Sequence, residues 1–326
     1  MRIIFFGTPY FSATNLNALI NQGHNIVAVV TSTDSRKGRG KKLTHSHVKT
    51  VALNNAIPVL QPLNLKANNF IQKLTSFNAD LFVVVAFRML PDLVWKIPPQ
   101  GTINLHTSLL PNYRGAAPIN WVLINGEEKT GITTFFINQK IDSGNIILQK
   151  TINITQETSA GQLHEILMNE GSVLLFKTIE LIAHNSLKQK EQNNDLALLE
   201  APKLTKELLK IDWAQSAQDT HNLIRGLSPY LDENLKLNDV SICPCAWFFL
   251  KDIKGVQKRV KVYLSRVINQ NSNRTPVLRT DSKTYLNIIT NNGTITILNL
   301  QIEGKKQMTI EKFLKGNRIN ENFTIL

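Results

Sequence analysis

Three polar side chains in two separate segments are of types that can stabilise a negatively charged oxygen. Asn104 and His106 lie in the short apolar run TINLH, and a β-strand would project both from one face because they are two residues apart. Asp142 lies in KIDSGN, where Ser143 and Gly144 form a tight turn that can hold a carboxylate between two strands. An amide and an imidazole donate hydrogen bonds, and a nearby carboxylate favours the imidazolium. The set predicts an oxyanion site at an attacked carbonyl, without a nucleophilic Ser or Cys.

The same three residues also have ordinary structural roles. An Asn at a strand end often caps a turn, a His is often a satisfied surface residue, and Asp-Ser-Gly is common turn chemistry. Spacing alone therefore leaves both the catalytic and the structural interpretation open.

The first half of the chain alternates apolar runs with amphipathic stretches, which predicts a parallel sheet with crossover helices. The apolar runs, typical of strands covered on both faces, occupy residues 2–6, 25–30, 81–87 and 102–105. Helical spacing occupies residues 12–22, 46–55, 67–77 and 159–184. Residues 132–138 and 146–150 are predicted to pair as a hairpin around the Asp142 turn. Such a doubly wound sheet binds ligands at the carboxyl ends of its strands, where TINLH would place Asn104 and His106.

The second half predicts a different architecture. The apolar rhythm stops at residues 185–200, and beyond it one helix precedes five short strand-like runs at 246–250, 258–268, 276–280, 284–290 and 294–300. We predict a doubly wound, mostly parallel, Rossmann-like α/β domain at residues 1–188 and a linker at 189–205. A small C-terminal β-barrel of the oligonucleotide-binding type is predicted at 206–326.

Several classes of protein are disfavoured by the sequence. FFGTPYF has only Gly7 where a dinucleotide-binding turn would have three glycines, and there is no Walker motif. The run LFVVVAF is too short to cross a bilayer and MRIIFFG turns polar too early for a signal peptide, so we expect a cytoplasmic protein without a membrane partner. Cys243 and Cys245 are too few for a disulfide framework and lack zinc-ligand spacing, so no metal is expected.

The charge of the chain is strongly positive and unevenly distributed. The formal net charge is +13, and residues 35–79 hold eight Lys or Arg and no acidic residue. Such one-sided charge favours a polyanionic partner such as a nucleic acid. Improved solubility is the alternative explanation for the charge taken alone.

The longer motifs around these residues resemble the formyltransferase family that uses 10-formyltetrahydrofolate. The most specific of them is SLLPNYRGAAPINW, preceded by NLH, whose His106 lies about three dozen residues before the Asp142 of KIDSGNIIL. The resemblance runs almost from end to end through FFGTPYF, GRGKKL, APKLTKE with IDW, IRGLSPY and EGKKQMTIEKFLKG. Within the family, the chain most resembles members that formylate methionyl-tRNA.

The resemblance implies a direct transfer between two bound substrates. The methionyl α-amine would attack the formyl carbon of 10-formyltetrahydrofolate, and Asn104, His106 and Asp142 match the catalytic residues of the family. The SLLP segment matches the folate-binding loop, whose backbone groups should face the folate; its residues are Ser108, Leu109, Leu110 and Pro111.

The segment AFRMLP corresponds to the wall that contacts the pteridine edge in the family. It departs from the commoner Tyr-Gly form, which leaves its individual contacts open. Arg88, Met89 and Leu90 are the predicted folate contacts, and core packing is the alternative for Met89 and Leu90.

A basic loop and a basic barrel are the predicted tRNA-binding parts. The resemblance implies that DSRKGRGKKL, residues 34–43, is mobile until it engages the tRNA acceptor end through Arg39, with Lys41 and Lys42 as phosphate partners. Initiator methionyl-tRNA is the expected partner, and nothing in the sequence requires more than a monomer. LDENLKLNDVSICPC after Tyr230 is longer than usual in the family and is predicted to be a surface insertion without an assigned role.

Two other functions remain open from the sequence. A formyltransferase acting on an amino-sugar nucleotide would share the three polar residues and the SLLP loop. A nucleic-acid-binding module that has lost catalysis would share the basic charge, although intact Asn104, His106 and Asp142 argue against it.

Overall fold

Two units make up the chain, as seen in a computed structural model that describes residues 1–37, 42–193, 199–232, 234–237, 242–268, 276–317 and 319–326. Unit 1 comprises Met1–Gly115, Thr130–Ile152 and His164–Glu200. Unit 2 comprises Ala116–Lys129, Asn153–Leu163 and Ala201–Leu326. The functional domain limits 1–188, 189–205 and 206–326 stay a prediction.

The elements follow the order expected for an α/β part and then a β-rich part. The strands are β1 Arg2–Gly7, β2 Asn25–Val30, β3 Ser35–Lys37, β4 Lys42–Thr44, β5 Val59–Leu60, β6 Leu81–Val85, β7 Thr102–His106, β8 Arg114–Gly115, β9 Lys129–Phe136, β10 Ile146–Asn153, β11 Glu200–Ala201, β12 Ala246–Lys251, β13 Gln257–Ile268, β14 Val277–Thr280, β15 Leu286–Ile289, β16 Thr294–Ile302, β17 Met308–Thr309 and β18 Thr324–Ile325. The helices are α1 Tyr10–Asn21, α2 His47–Asn54, α3 Asn68–Thr75, α4 Asp92–Trp95, α5 Pro118–Ile124, α6 Ala160–Ala183, α7 Ala217–Gly226 and α8 Ile310–Gly316.

The sheet of unit 1 has the order β10-β9-β7-β6-β1-β2-β5. Neighbours from β7 to β5 are parallel, whereas β9 runs antiparallel to β7. The chain order reverses between β1 and β6, and the carboxyl ends of strands around such a switch point form a ligand crevice. The predicted doubly wound, mostly parallel sheet is confirmed, and so is the pairing of the two strands that flank the Asp142 turn.

The core of unit 1 explains why its strands are so apolar. Every residue of β6 is buried, as is every residue of β1 after Arg2, because helices cover both faces of a parallel sheet. Phe6 and Phe82 from adjacent strands pack with their ring centroids 5.1 Å apart. The Ser12 hydroxyl of α1 donates to the Val85 carbonyl at the end of β6 (2.5 Å), which fixes the helix over the crevice edge.

Unit 2 contains a nearly closed antiparallel barrel with strand order β14-β15-β16-β13-β12-β18, and β17 pairs with β16. The outer strands β14 and β18 approach each other. Trp213, Phe248 and Phe313 are the largest side chains of its core, and α8, which the sequence analysis did not predict, supplies Phe313. The predicted second β-rich domain is confirmed.

Two segments differ from the sequence prediction. The segment predicted to be a loop at residues 34–43 contains β3 and β4, which pair antiparallel with Ser35 opposite Thr44. The segment predicted to be a surface insertion packs against the barrel in part, because the Lys236 ammonium lies 5.4 Å from the ring centroids of both Tyr230 and Tyr263. Within the described residues, no helix combines the length and the apolar character needed to span a bilayer.

Candidate active site

Strand β7 carries Asn104 and His106 to the carboxyl edge of the sheet of unit 1. Asn104 lies opposite Val84 of β6 and Phe135 of β9 and is half-buried. Its amide has no hydrogen-bond partner among the residues that the structure describes. Because His106 is two residues further along, both side chains leave the same face of the strand. The Asn104 amide is therefore available as a donor beside the imidazole.

The His106 ring is buried and lies between two hydrogen-bond acceptors. Its Nε2 is 2.8 Å from the Tyr113 carbonyl oxygen, so this nitrogen carries the proton. Its Nδ1 is 3.8 Å from Asp142 Oδ2, which is longer than a hydrogen bond. Nδ1 is thus the ring atom that faces the carboxylate without a hydrogen bond to it, and the ring atom left free for a substrate.

The turn that carries Asp142 is tightly constrained. Asp142 has a φ of 49°, in the left-handed region that Asp tolerates better than most residues. The Gly115 N–H donates to its Oδ2 at 3.0 Å. A Cβ on Gly144 would lie 1.7 Å from the Phe136 carbonyl oxygen, so only glycine fits there. The structure brings His106 and Asp142 together as the sequence analysis expected, while their catalytic roles stay a prediction.

The SLLP loop is held by β9 and β10 of the same unit. The Thr133 hydroxyl donates to the Ser108 carbonyl at 2.7 Å and accepts from the Leu110 N–H at 3.2 Å. The Gln149 amide donates to the Leu110 carbonyl at 2.8 Å. The buried Ser108 hydroxyl donates to the Asn112 carbonyl, and the Leu110–Pro111 bond is cis. Leu110 therefore has no free main-chain donor for a ligand, and the expectation that the backbone of this loop faces the folate stays a prediction.

The three residues predicted to contact the pteridine lie in different environments. Met89 is 74% exposed, whereas Leu90 is buried in the core of unit 1. The Arg88 guanidinium donates hydrogen bonds to the carbonyls of Pro62 and Leu63. It therefore joins the segment that follows β6 to the segment that follows β5. For Leu90 the structure favours the packing alternative, and Met89 and Arg88 remain the accessible candidates.

The predicted tRNA-binding loop is described only at its base. Arg39 and Lys41 lie outside the described residues, and Lys42 is the first residue of β4. Before β3, Asp34 accepts hydrogen bonds from Lys49 (2.6 Å) and Gln61 (2.9 Å), and its Oδ1 is 3.1 Å from His45 Nδ1 after β4. These partners, Lys49 first, hold the pKa of the Asp34 carboxyl well below its usual range. The Asp34 carboxylate, at the start of the basic loop, therefore also contacts His45, just after its end.

Sequence reasoning missed two residues that support the Asp142 turn. Arg114 donates from its guanidinium to the Gln192 side-chain oxygen, and Gln192 contacts the backbone of the turn. Burial lowers the pKa of the Arg114 guanidinium, and the Asp142 carboxylate opposes that shift. Arg114 lies inside the motif SLLPNYRGAAPINW, which could have suggested it. Gln192 lies in a polar tract without any such signal.

Metal ligation has no candidate in the described part of the chain, where no group of three or more His, Cys, Asp or Glu side chains could hold an ion.

The comparisons with known proteins match both units. A family model described as formyl transferase matches residues 1–179, and one described as formyl transferase, C-terminal domain, matches residues 203–318. A methionyl-tRNA formyltransferase from Flavobacterium johnsoniae is 45% identical over 97% of this chain and 96% of its own. One from Bacteroides fragilis is 41% identical over 99% of this chain and 97% of its own.

Solved structures with a similar fold are more distant in sequence. WlaRD, a sugar 3N-formyl transferase solved with dTDP and 5-N-formyl-THF, has a TM-score of 0.64 at 20% identity and covers 94% of this chain and 99% of its own. HypX from Aquifex aeolicus in complex with tetrahydrofolic acid has a TM-score of 0.60 at 17% identity and covers 96% of this chain and 47% of its own. At these identities the likeness concerns the fold alone.

Proposed function

The chain belongs to the formyl transferase family, and we propose that it transfers the formyl group of 10-formyltetrahydrofolate to the α-amino group of methionyl-tRNA, making formylmethionyl-tRNA for translation initiation. The observation that carries this function is end-to-end identity of 41 to 45% with relatives named for that reaction. The distant sugar formyl transferase shares about a fifth of its residues with this chain, so the tRNA substrate is favoured over an amino sugar. Charged tRNA is a cytoplasmic substrate, so the proposed reaction belongs in the cytoplasm.

The proposed reaction is an addition followed by an elimination at the formyl carbon. The uncharged methionyl amine forms a C–N bond to that carbon, and its carbonyl oxygen becomes an oxyanion. Collapse of the intermediate breaks the bond to N10 of the folate, which takes up a proton, while the amine loses one. Both substrates are bound, so correct placement supplies a large part of the rate.

Asn104 and His106 are proposed to stabilise the oxyanion. The Asn104 amide has no competing partner among the described residues, and His106 Nδ1 is too far from Asp142 for a hydrogen bond. Each can therefore donate to an oxygen that enters between them. Nε2 is anchored on the Tyr113 carbonyl, which fixes the plane of the ring.

Asp142 is proposed to keep the imidazole charged and to accept the amine proton through water. Its side chain is only 16% exposed, and a carboxylate in such surroundings interacts more strongly with an imidazolium than it would in water. The Gly115 N–H donates a hydrogen bond to the same carboxylate.

The folate is proposed to bind beside the SLLP loop, formed by Ser108, Leu109, Leu110 and Pro111, with Arg88 and Met89 at the pteridine edge. Support comes from the exposure of Met89 and from family membership, since two solved structures of similar fold are described with folates. Leu110 is buried and uses its main-chain groups within the protein, so the half-buried Leu109 and Pro111 would provide the contact surface.

The tRNA is proposed to bind through the basic loop, with Arg39, Lys41 and Lys42, and through the basic strands β12 and β13 of unit 2. The initiator tRNA is the proposed substrate and a monomer the proposed state. Between Lys251 and Lys261 there are five Lys or Arg and one acidic residue, which suits contact with phosphates.

The proposed function is tested by offering the purified protein three acceptors, each with 10-formyltetrahydrofolate. We expect formylmethionine on methionyl-tRNA and no product on free methionine or on a dTDP-linked amino sugar. Omission of the folate is the control. Formylation of the amino sugar without formylation of methionyl-tRNA would reject the proposal.

A further inference from the structure

Gln192 is a buried polar side chain in a segment with no role in the proposed reaction. It follows helix α6, where the sequence becomes rich in Lys, Gln and Asn, yet it is only 4% exposed. The segment is docked on the sheet of unit 1, because the main chain of Lys190 exchanges two hydrogen bonds with Ile146 of β10, at 2.8 and 2.9 Å. Gln192 lies two residues after Lys190, and its side chain reaches the Asp142 turn.

The Gln192 amide uses all of its hydrogen-bonding capacity around that turn. Its Nε2 donates to the Asp142 carbonyl at 2.9 Å and to the Gly144 carbonyl at 2.8 Å. Its Oε1 accepts from the Arg114 Nε at 3.1 Å and from the Arg114 Nη2. A primary amide has two N–H donors and two acceptor lone pairs, so none is left unused.

The turn needs external support because its conformation is unfavourable for the local chain. A left-handed residue other than glycine persists only where surrounding structure determines it, and Asp142 is such a residue. Gly144 lies against the Phe136 carbonyl with no room for a side chain. The Gln192 amide donates hydrogen bonds to the carbonyls of Asp142 and Gly144, the residues on either side of Ser143. It therefore bridges the turn.

We propose that Gln192 is a positioning residue for the formyl transfer: its amide holds the Asp142 turn in register with Arg114, so that the Asp142 carboxylate stays beside His106. The proposal rests on the proposed function of Asp142. It assigns no contact between Gln192 and either substrate. Loss of Gln192 should therefore lower kcat and leave the binding of folate and tRNA nearly unchanged.

Two substitutions separate the parts of this role. Gln192→Glu keeps the acceptors for Arg114 and removes both donors to the turn, while Gln192→Met removes all four hydrogen bonds at similar volume. Small displacements of a catalytic group cost up to about two orders of magnitude in rate, so we expect kcat to fall roughly 10- to 100-fold in both variants. The KM for the folate and the KM for methionyl-tRNA should stay within about threefold of the wild type, since the proposal assigns neither substrate a contact with Gln192.

Gln189 provides the matched control in the same segment. It is exposed, and its side-chain oxygen accepts a hydrogen bond from Asn145 at 3.1 Å, just beyond the turn, without contacting the main chain of the turn. Gln189→Glu and Gln189→Met make the same chemical changes three residues earlier. They should keep wild-type kcat.

The experiment measures kcat per folate-binding site, counted by titration with 5-formyltetrahydrofolate, together with both KM values. Normal site counts with reduced kcat in both Gln192 variants support the proposal. Wild-type kcat in both Gln192 variants overturns the proposal. A loss of folate-binding sites in proportion to the loss of activity also overturns it, because that result assigns Gln192 to folding. Failure of the proposed function is separate, since it would appear as wild-type protein that does not formylate methionyl-tRNA.

Discussion

His106 is anchored through one ring nitrogen and faces a carboxylate with the other, and this arrangement fixes the plane of the ring. The Tyr113 carbonyl fixes Nε2, and Asp142 faces Nδ1 from 3.8 Å. A ring anchored through one nitrogen can donate from the other without rotating. In the proposed reaction, the oxyanion would therefore meet a donor that is oriented before the substrate binds.

Replacing His106 with Gln tests this donor. Glutamine is neutral and cannot donate from the same position while bonding Tyr113. We expect kcat for formyl transfer to fall about 100- to 1,000-fold, the range found when one oxyanion donor is removed. The folate dissociation constant, measured by fluorescence titration, should change by less than about threefold. A variant with kcat within about threefold of the wild type would remove His106 from the oxyanion site.

The sequence was most informative about single residues where strand parity and chain turns determine position. Asn104 and His106 share a face because alternation is a property of any strand, and Asp142 comes near because a glycine-containing turn reverses the chain. Gln192 was not predictable in this way. Its burial depends on a backbone pairing between Lys190 and Ile146, which are 44 residues apart, and no local pattern encodes it.

At the scale of elements, apolar periodicity predicted the long strands and helices and missed the short ones. Helix α8 has Ile310, Phe313 and Leu314 at helical spacing. The helix is only seven residues long, so this periodicity is too short to predict a helix from the sequence. Strands β3 and β4 have three residues each, and Leu43 is their one apolar residue, so nothing in their composition distinguishes them from a loop. Their structure is determined by the antiparallel pairing of β3 with β4 and by the contacts of Asp34 with Lys49 and His45.

The turn between β9 and β10 gives a prediction about an element. Gly144→Ala would place a methyl group 1.7 Å from the Phe136 carbonyl oxygen, so the turn must move. We expect about 1 to 3 kcal/mol of lost stability and a lower kcat, measured by chemical denaturation and by the formyl-transfer assay.

Gly316→Ala is the matched control for that turn, since nothing lies within 4 Å of the position a Cβ would take there. It lies at the end of α8 and should leave activity unchanged. Equal stability and activity of the two variants would show that the turn is not constrained as described.

The basic loop gives a second prediction at this scale. Arg39→Ala should raise the KM for methionyl-tRNA and reduce the salt dependence of log kcat/KM by about one charge contact. The KM for the folate should not change. Lys177→Ala, which removes an exposed positive charge from α6 of the same unit, is the control. Identical salt dependence in wild type and the Arg39 variant would exclude the loop from tRNA binding.

At the scale of the whole molecule, buried ionisable groups in unit 2 connect its stability to pH. Burial raises the pKa of the Cys245 thiol from 9.0 to about 11, and burial also raises the pKa of Tyr263. Between pH 9 and pH 11 the unfolded chain loses the Cys245 proton and the folded chain keeps it. Stability that is complete below pH 9 is therefore lost as the pH rises.

We expect the free energy of unfolding to fall by about 3 kcal/mol from pH 9 to pH 11 through Cys245 alone, at about 1.4 kcal/mol for each tenfold change. Urea denaturation at several pH values measures it. Cys245→Ser should lose this component, whereas Cys243→Ser retains Cys245 and should keep it. The same alkaline loss in both variants would contradict the assignment.

The most direct test of the account is the rate of formyl transfer to methionyl-tRNA by Asp142→Asn in a single turnover with saturating 10-formyltetrahydrofolate. Asparagine keeps the size of the side chain and removes the charge beside His106. We predict a rate at least about 100-fold below the wild type with folate and tRNA binding preserved. A rate close to that of the wild type would contradict the claim that Asn104, His106 and Asp142 act together on the formyl oxygen.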